Sequence, residues 1–484
     1  MPDCRQTAMT LQRAHLMTRA ARPRSVGSHT DRYLAPKCRM ASDSSTTQRQ
    51  YPAWALSVYE RLTDDDDGRV CKAISDDACR ETPGNFVHML VANALSTVAD
   101  SVASAKTTLP WLVLHLGAPG WLNSLLVPIR ESGSMLPQLL IGAVVRSFAV
   151  RKWVWVLGGA VQGACLAALA AVALTLQGLA AGIVIVALLT LFSLARGACS
   201  IAYKDVQGKT IPKTRRGVLS GWIGSIAGAL SMAVGLGLGL LPDTGSAAVF
   251  AGLLGGGAVM WALAIWSFSR IVEFPGATDG GVNGMTEAFA KLSLLRDDAP
   301  FRHFVIARAL AMGSGLAAPF YVALARDALG EAVALLGAFI VLEGLAGLVS
   351  SPVWGRWADR SSRQVFAAAS ALAAALSIAV AVAAWVEVTG SAALVFYPVA
   401  FFGLGVAHAG VRLGRKTYLL DMSGGNRRTD YVAVSNTAIG ALLLLSGALG
   451  ALAALVSVPA TVLLLGLCGL LGAAMSLRWE EVSG

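Results

Sequence analysis

Charge is scarce in this sequence. Asp, Glu, Lys and Arg make up 14% of its residues, against about 25% in a soluble domain. That shortage excludes an ordinary water-solvated globule and implies a chain solvated largely by lipid. Acidic residues are the scarcer sign, 29 against 39 Lys and Arg, for a net charge of +10. A surplus of that size can mark a nucleic-acid binder. Here the basic residues fall in short loops between apolar runs, the pattern that orients membrane proteins, so no nucleic-acid partner is expected. Cysteine is sparse and odd in number, seven in all, without metal-ligand spacing. Cys165, Cys199 and Cys468 lie inside apolar runs and read as small apolar residues. Cys71 and Cys79 fall in a segment expected to be cytoplasmic, where disulfides are disfavoured.

Signatures of enzymatic chemistry are missing as well. Gly208-Lys209-Thr210 is reminiscent of a phosphate loop, but Tyr203 stands where that pattern needs glycine. The Asp64–Asp67 run would need an acidic residue at Thr63 and Glu at Ile74 to be a calcium loop. No helix has zinc-ligand spacing and no nucleophile elbow occurs. The expectation is no enzyme, no metal and no cofactor. Met1–Arg39 is basic and lacks an apolar core, which excludes a secretory signal. A transit peptide and a start at Met40 are the two readings. Residues 1–84 read as a cytoplasmic, largely disordered extension. Within it Trp54, Val58 and Leu62 recur at helical spacing beside Tyr51 and Tyr59, predicting a short amphipathic helix on the membrane or on the protein's inner face.

What the chain does have is long apolar runs. From about residue 85 they recur at ~20 residues each, enough to cross a ~30 Å hydrocarbon core, and only as helices. They fall at 86–114, 121–145, 153–176, 179–202, 217–241, 246–268, 303–325, 333–353, 365–386, 392–411, 431–455 and 458–477. Alternate loops are rich in Lys and Arg; the other set holds Arg326 as its only basic residue. The basic loops and both termini are therefore expected in the cytoplasm. The loop 269–302 divides the spans into halves, 85–268 and 303–478. Its Met285, Phe289, Leu292 and Leu295 share one helical face and predict an interfacial linker. Each half has a basic loop after its second span and a longer one after its fourth, a weak internal repeat of the kind transporters carry.

The loop Gly355–Gln364 reads Gly-Arg-Trp-Ala-Asp-Arg-Ser-Ser-Arg-Gln. Its glycine, Asp-Arg and following arginine resemble the cytoplasmic loop signature of the major facilitator superfamily, at the expected place between the second and third spans of a half. The resemblance implies an all-α membrane protein with twelve transmembrane helices in two pseudo-symmetric six-helix bundles (the MFS fold). It also implies alternating access, a solute site midway across the membrane, and a conformational loop formed by Gly355, Asp359, Arg360 and Arg363. In the family the acidic residue of this loop pins one conformational state. The first half departs from the pattern: in Gly142–Lys152, Arg146 stands where the acid belongs and Ser147 where the first basic residue belongs. A latch there is expected to be missing or different. The proline-containing fifth-span motif of drug/proton antiporters is also absent from Arg216–Pro242.

Ionisable groups inside spans are costly and are the default functional candidates. Asn93, Ser96, Asp100, Ser104 and Thr107 form one polar stripe on the first span. Asp100 reads either as a solute or proton site or as an ion pair to Arg130 or Arg196. Arg130 and Glu131 are adjacent and must diverge. Lys106, off the stripe, is expected to snorkel outward. Arg196 resembles the position of a family arginine implicated in proton coupling. Arg308, Glu343 and His408 complete the candidates, with His408 also readable as a packing residue. Small-residue stripes, Gly221–Gly224–Gly228–Ser231–Gly235 and Gly344–Gly347–Ser351, mark joints between the halves. The sequence thus predicts a secondary active transporter of a small organic solute, an anion or zwitterion by preference, with protons as candidate coupling ion. A drug or metabolite efflux permease and a non-transporting receptor are the alternatives. A monomer in a lipid bilayer, the bacterial inner (plasma) membrane, is expected.

Overall fold

The computed structural model describes residues 53–63, 76–136, 144–145, 147–240, 246–276, 291–358, 360–422 and 428–482. Apart from short 3-10 turns, all regular structure among them is α-helix. Helix α1 is Ala53–Thr63. The first expected span is broken into α2 (Thr82–Val102) and α3 (Thr108–His115), and the second is α4 (Asn123–Met135). Then come α5 (Lys152–Thr175), α6 (Gly178–Thr210), α7 (Lys213–Gly239) and α8 (Ala247–Ser269). The seventh span is broken like the first, into α9 (Ala299–Leu310) and α10 (Ala318–Leu329). It is followed by α11 (Val333–Ala358), α12 (Ser362–Trp385), α13 (Gly390–Met422), α14 (Arg428–Val456) and α15 (Val458–Ser476). Among the described residues ten helices are long and apolar enough to cross a membrane, counting Ala299–Leu329 as one. The protein is an integral, multi-pass membrane protein. Large apolar side chains such as Leu157, Leu174, Val259, Leu348 and Val395 stay exposed along the spans, as lipid-facing surface requires.

The packing repeats itself. In the first half α5 lies against α6 and α8, α8 and α7 against α2, and α4 against α6. In the second half α12 lies against α13 and α15, α15 and α14 against α9, and α11 against α13. Each of these first-half contacts thus has its counterpart in the second half. The turns into α6 and α13 are alike too: each passes through a left-handed glycine, Gly178 at φ 62° and Gly390 at φ 63°, a conformation that costs other residues dearly. Between the halves α7 meets α11 and α4 meets α14, again a symmetric pair of seams.

The α7–α11 seam is uneven. At the ends remote from the basic loops the backbones touch. A methyl group on Gly235 would sit 2.8 Å from the Gly337 carbonyl oxygen, and one on Gly337 would be driven onto the Gly235 carbonyl oxygen. Toward the basic-loop face, Gly221, Gly224 and Gly228 lie on the same side of α7 as Gly235, yet nothing would lie within 4 Å of a methyl group on any of them. Gly347 and Gly355 of α11 are equally open. The α4–α14 seam stays tight, with Gly447 against Pro128 and Gly440 against Leu136. The crevice between the halves therefore opens along α7 and α11 toward the basic-loop face.

Helix α1 forms as its apolar spacing predicts and docks on protein. Tyr59 is buried and packs edge-on against Phe86 of α2 at 5.3 Å. The Thr63 carbonyl accepts from Arg215 at 2.7 Å and the Leu62 carbonyl from the Trp222 indole at 3.2 Å. Trp54 of the same stripe has its side chain outside the described residues, as do Asp64–Asp67, Cys71, Met285 and Phe289.

Candidate functional site

Three helices of the first half converge on Asp100. Arg130 of α4 donates to one carboxylate oxygen at 3.0 Å, and Arg196 of α6 pairs with the other. Arg130 also lies over the Phe192 ring, 4.7 Å from its centroid. Of the two readings for Asp100, the ion pair describes this geometry, and it engages both arginines at once. One carboxylate between two guanidinium groups leaves a positive excess, and the Nη1 of Arg130 is buried without a hydrogen-bond partner. Asn93 does not join the cluster; its amide donates to the Met89 carbonyl of its own helix at 2.8 Å.

The second half holds a related set. His408 of α13 shares a hydrogen bond with Ser314 at 3.3 Å. Helices α6 and α13 are both 33 residues long, and Arg196 and His408 are each the nineteenth residue of their helix. Ser314 lies in the break of span seven and Asp100 near the break of span one. Ser314–His408 thus occupies the place in the second half that Asp100–Arg196 holds in the first. The two halves hold polar constellations of different chemistry at matching positions on α6 and α13.

The constellations meet at the break between α2 and α3. The chain turns at residues 103–107 and resumes as α3, with Pro110 in its first turn, where its missing N–H costs little. The break aims Lys106 and Ser104 at the other half. Lys106 pairs with Glu343 at 3.9 Å and the Ser104 hydroxyl donates to Glu343 at 3.3 Å. The expectation that Lys106 snorkels outward is therefore corrected: the break re-aims it into the crevice. A cavity of ≈ 150 Å³ lies there, lined by Lys106, Ser314, Glu343, His408 and Arg412 among others. Arg308 of α9 is buried and donates to Ser435 at 2.6 Å and Asn436 at 3.0 Å, which ties it to α14. The Glu131 carbonyl accepts from the Ser134 hydroxyl at 2.8 Å, while its carboxylate acts electrostatically on Arg130, Arg308 and Arg415. Arg412 and Arg415 were absent from the sequence-based candidates, having been read as loop residues. Helix α13 runs on to Met422 and carries them in line with His408, at the spacing i, i+4, i+7. Of the charged groups, Lys106 and Arg412 line the cavity as cations and Glu343 as the carboxylate.

No protein-family model matches the sequence, and no curated protein matches it. Solved structures do match. The nucleoside transporter NupG superposes with a TM-score of 0.61 at 12% identity, over 82% of this chain and 99% of that one. The inward-open xylose transporter XylE from E. coli gives 0.61 at 13% identity, over 82% and 97%. A POT family transporter in complex with 5-aminolevulinic acid gives 0.63 at 10%, over 81% and 95%. The chain has the major facilitator fold.

The loop Gly355–Gln364 is described except for one residue. Asp359 lies outside the described residues. Gly355 has open space around it, and Arg360 is exposed. Arg363 pairs with Glu481 at 3.4 Å and donates to the Trp479 carbonyl at 2.9 Å. Glu481 also accepts from Ser361, the N-cap of α12, at 2.5 Å. In the first half the acid comes from elsewhere. Glu273, just past α8, accepts from the backbone N–H groups of Arg151 and Lys152 at 3.0 and 2.6 Å and pairs with Lys209 at 2.9 Å. Asp205 bridges Arg151 and Lys209. A carboxylate at the N-terminus of α5 suits the helix dipole. Arg146 itself lies outside the described residues. Glu273 and Glu481 each follow the last helix of their half and each anchor the start of its third span.

Proposed function

We propose that this protein is a secondary active transporter that moves a small organic solute by alternating access, with protons as the coupling ion. The observation that carries this reading is the contact between Lys106 and Glu343. It joins the two halves across a polar cavity at mid-chain depth, at a seam closed on one side and open on the other. A partly exposed ionic contact between two bodies that must separate is a natural switch, because a solute able to replace either partner changes which state is favoured. The structurally similar proteins are a nucleoside transporter, a xylose transporter, a D-xylose-proton symporter and POT family transporters, which supports solute transport and proton coupling here.

Asp100, Arg130 and Arg196 form the fixed ionic floor of the site, Glu131 and Arg308 its flank, and Glu343 and His408 its movable side. Gly355, Asp359, Arg360 and Arg363 form the conformational loop. The basic-loop face is cytoplasmic, as are both termini, so the crevice is in its inward-open state. The protein works as a monomer in the bacterial inner membrane and is no enzyme. Counterflow and uptake in proteoliposomes, with and without a pH gradient, test this reading. Solute movement accelerated by the gradient is expected. Saturable binding with no movement under any gradient would make the protein a receptor instead.

A further inference from the structure

We infer that the solute is a small organic anion whose acid group binds between Lys106 and Arg412, taking the place that Glu343 now holds on Lys106. The inference rests on the transport reading for its setting but not for its chemistry. The cavity lining carries two cations, Lys106 and Arg412, against one carboxylate, Glu343. Asp100 is already committed to Arg130 and Arg196. Arg412 lines the cavity and has no hydrogen-bond or ion-pair partner among the described residues, and Arg415 one turn further on has none either. The two repel each other and act electrostatically on His408. Like charges gathered in a low-dielectric crevice are unfavourable unless an anion joins them.

The existing pair shows where that anion fits. At 3.9 Å the Lys106–Glu343 contact is loose for a charge-assisted bond, and the Glu343 side chain is 36% exposed. Lys106 comes from one half and Arg412 from the other, and both line the ≈ 150 Å³ cavity. That volume suits a compact molecule of a few carbons rather than a lipid or a large drug. An arginine presents a planar fork to a carboxylate or phosphate, whereas the lysine adds a point charge. An acid group held by both would bridge the halves at the seam where Glu343 does now.

Two readouts on purified, reconstituted protein test this: thermal unfolding with added ligand, and counterflow. The probes are succinate and glycerol 3-phosphate as anions, xylose and uridine as neutral solutes, and choline as a cation. One or both anions should raise the unfolding temperature and exchange across the bilayer, and the preferred one tells carboxylate from phosphate. The other three should do neither. Arg412→Gln should weaken anion binding at least tenfold, whereas Arg356→Gln, an exposed arginine of α11, should not. Glu343→Gln removes the competing carboxylate and should tighten anion binding several-fold even where Arg412→Gln fails to fold. Absence of binding by both anions overturns the inference, and movement of xylose, uridine or choline in that case leaves the transport reading standing. A weaker anion affinity in Glu343→Gln also overturns it. Anion binding without counterflow upholds the inference and defeats the transport reading.

Discussion

Gly337→Ala should shift the protein out of the state described here without unfolding it. The new methyl group would press on the Gly235 carbonyl oxygen and lie 3.1 Å from the Gly239 nitrogen. Neither is the end of a flexible side chain, so the two helix backbones must move apart. Overpacking of this kind costs about 1–3 kcal/mol. The cost applies only where α7 and α11 touch at this end, so it acts on the balance between two states. A difference of 1–3 kcal/mol corresponds to roughly 5- to 150-fold in their ratio. Gly228→Ala is the matched control. Nothing would lie within 4 Å of its methyl group in the present state, so it should burden the opposite state, in which the basic-face ends of α7 and α11 approach. Spin labels at Leu240 and Glu331, measured by pulsed electron resonance, should report a longer distance in Gly337→Ala than in the parent. Gly228→Ala should leave it unchanged or sharpen the short distance. Identical distance distributions in all three proteins would refute the two-state seam.

Asp100→Asn strands two guanidinium groups in the first half. Charged hydrogen bonds contribute about 1.5–3 kcal/mol each when buried. Arg130 is 11% exposed and Arg196 41%, so most of the loss comes from Arg130, and water screens the Arg196 contact. The expected effect is a lower unfolding temperature, partly restored by adding Arg130→Gln, together with loss of coupled flux. Full stability with full coupling would remove Asp100 from the account. The two acidic anchors should differ. Glu273 is fully buried with three donors, and Glu273→Ala should destabilise by about 3–5 kcal/mol. Glu481 is 36% exposed, and Glu481→Ala should cost under about 1 kcal/mol; equal melting curves for the two variants would contradict this ranking. Tyr59→Ala, which empties the α1 site on Phe86, should expose the chain near Thr63 to limited proteolysis, and an unchanged digest would mean α1 is held by other contacts.

The spans were legible because length and hydropathy are local quantities. The apolar parts of α6 and α13, 179–202 and 392–411, declare themselves by composition alone, and their polar ends to Thr210 and Met422 do not. The Asp100 partners were also within reach, since mid-span charges have few options and Arg130 and Arg196 were both named. What stayed hidden depends on breaks and on distant chain. Lys106 fell off the helical stripe because periodicity assumes an unbroken helix, and the turn at 103–107 rotates everything after it. Glu273 escaped because its targets, Arg151 and Lys152, lie more than a hundred residues earlier. Arg412 and Arg415 were assigned to a loop because basic residues near a span end look like orientation signals. Their spacing from His408 was in the sequence, but only the length of α13 gives it meaning. The kinship of Arg196 and His408 was hidden by their different chemistry and appears once the two helices are matched end to end.

The central claim is that one cavity faces alternate sides of the membrane. Ala409 lines that cavity, so Ala409→Cys, in a background with the native cysteines replaced, places a thiol inside it. A membrane-impermeant thiol reagent should label it from the basic-loop face in the parent, and from the opposite face once Gly337→Ala is added. Labelling from the basic-loop face alone in both proteins, or from both faces at once in either, would contradict alternating access.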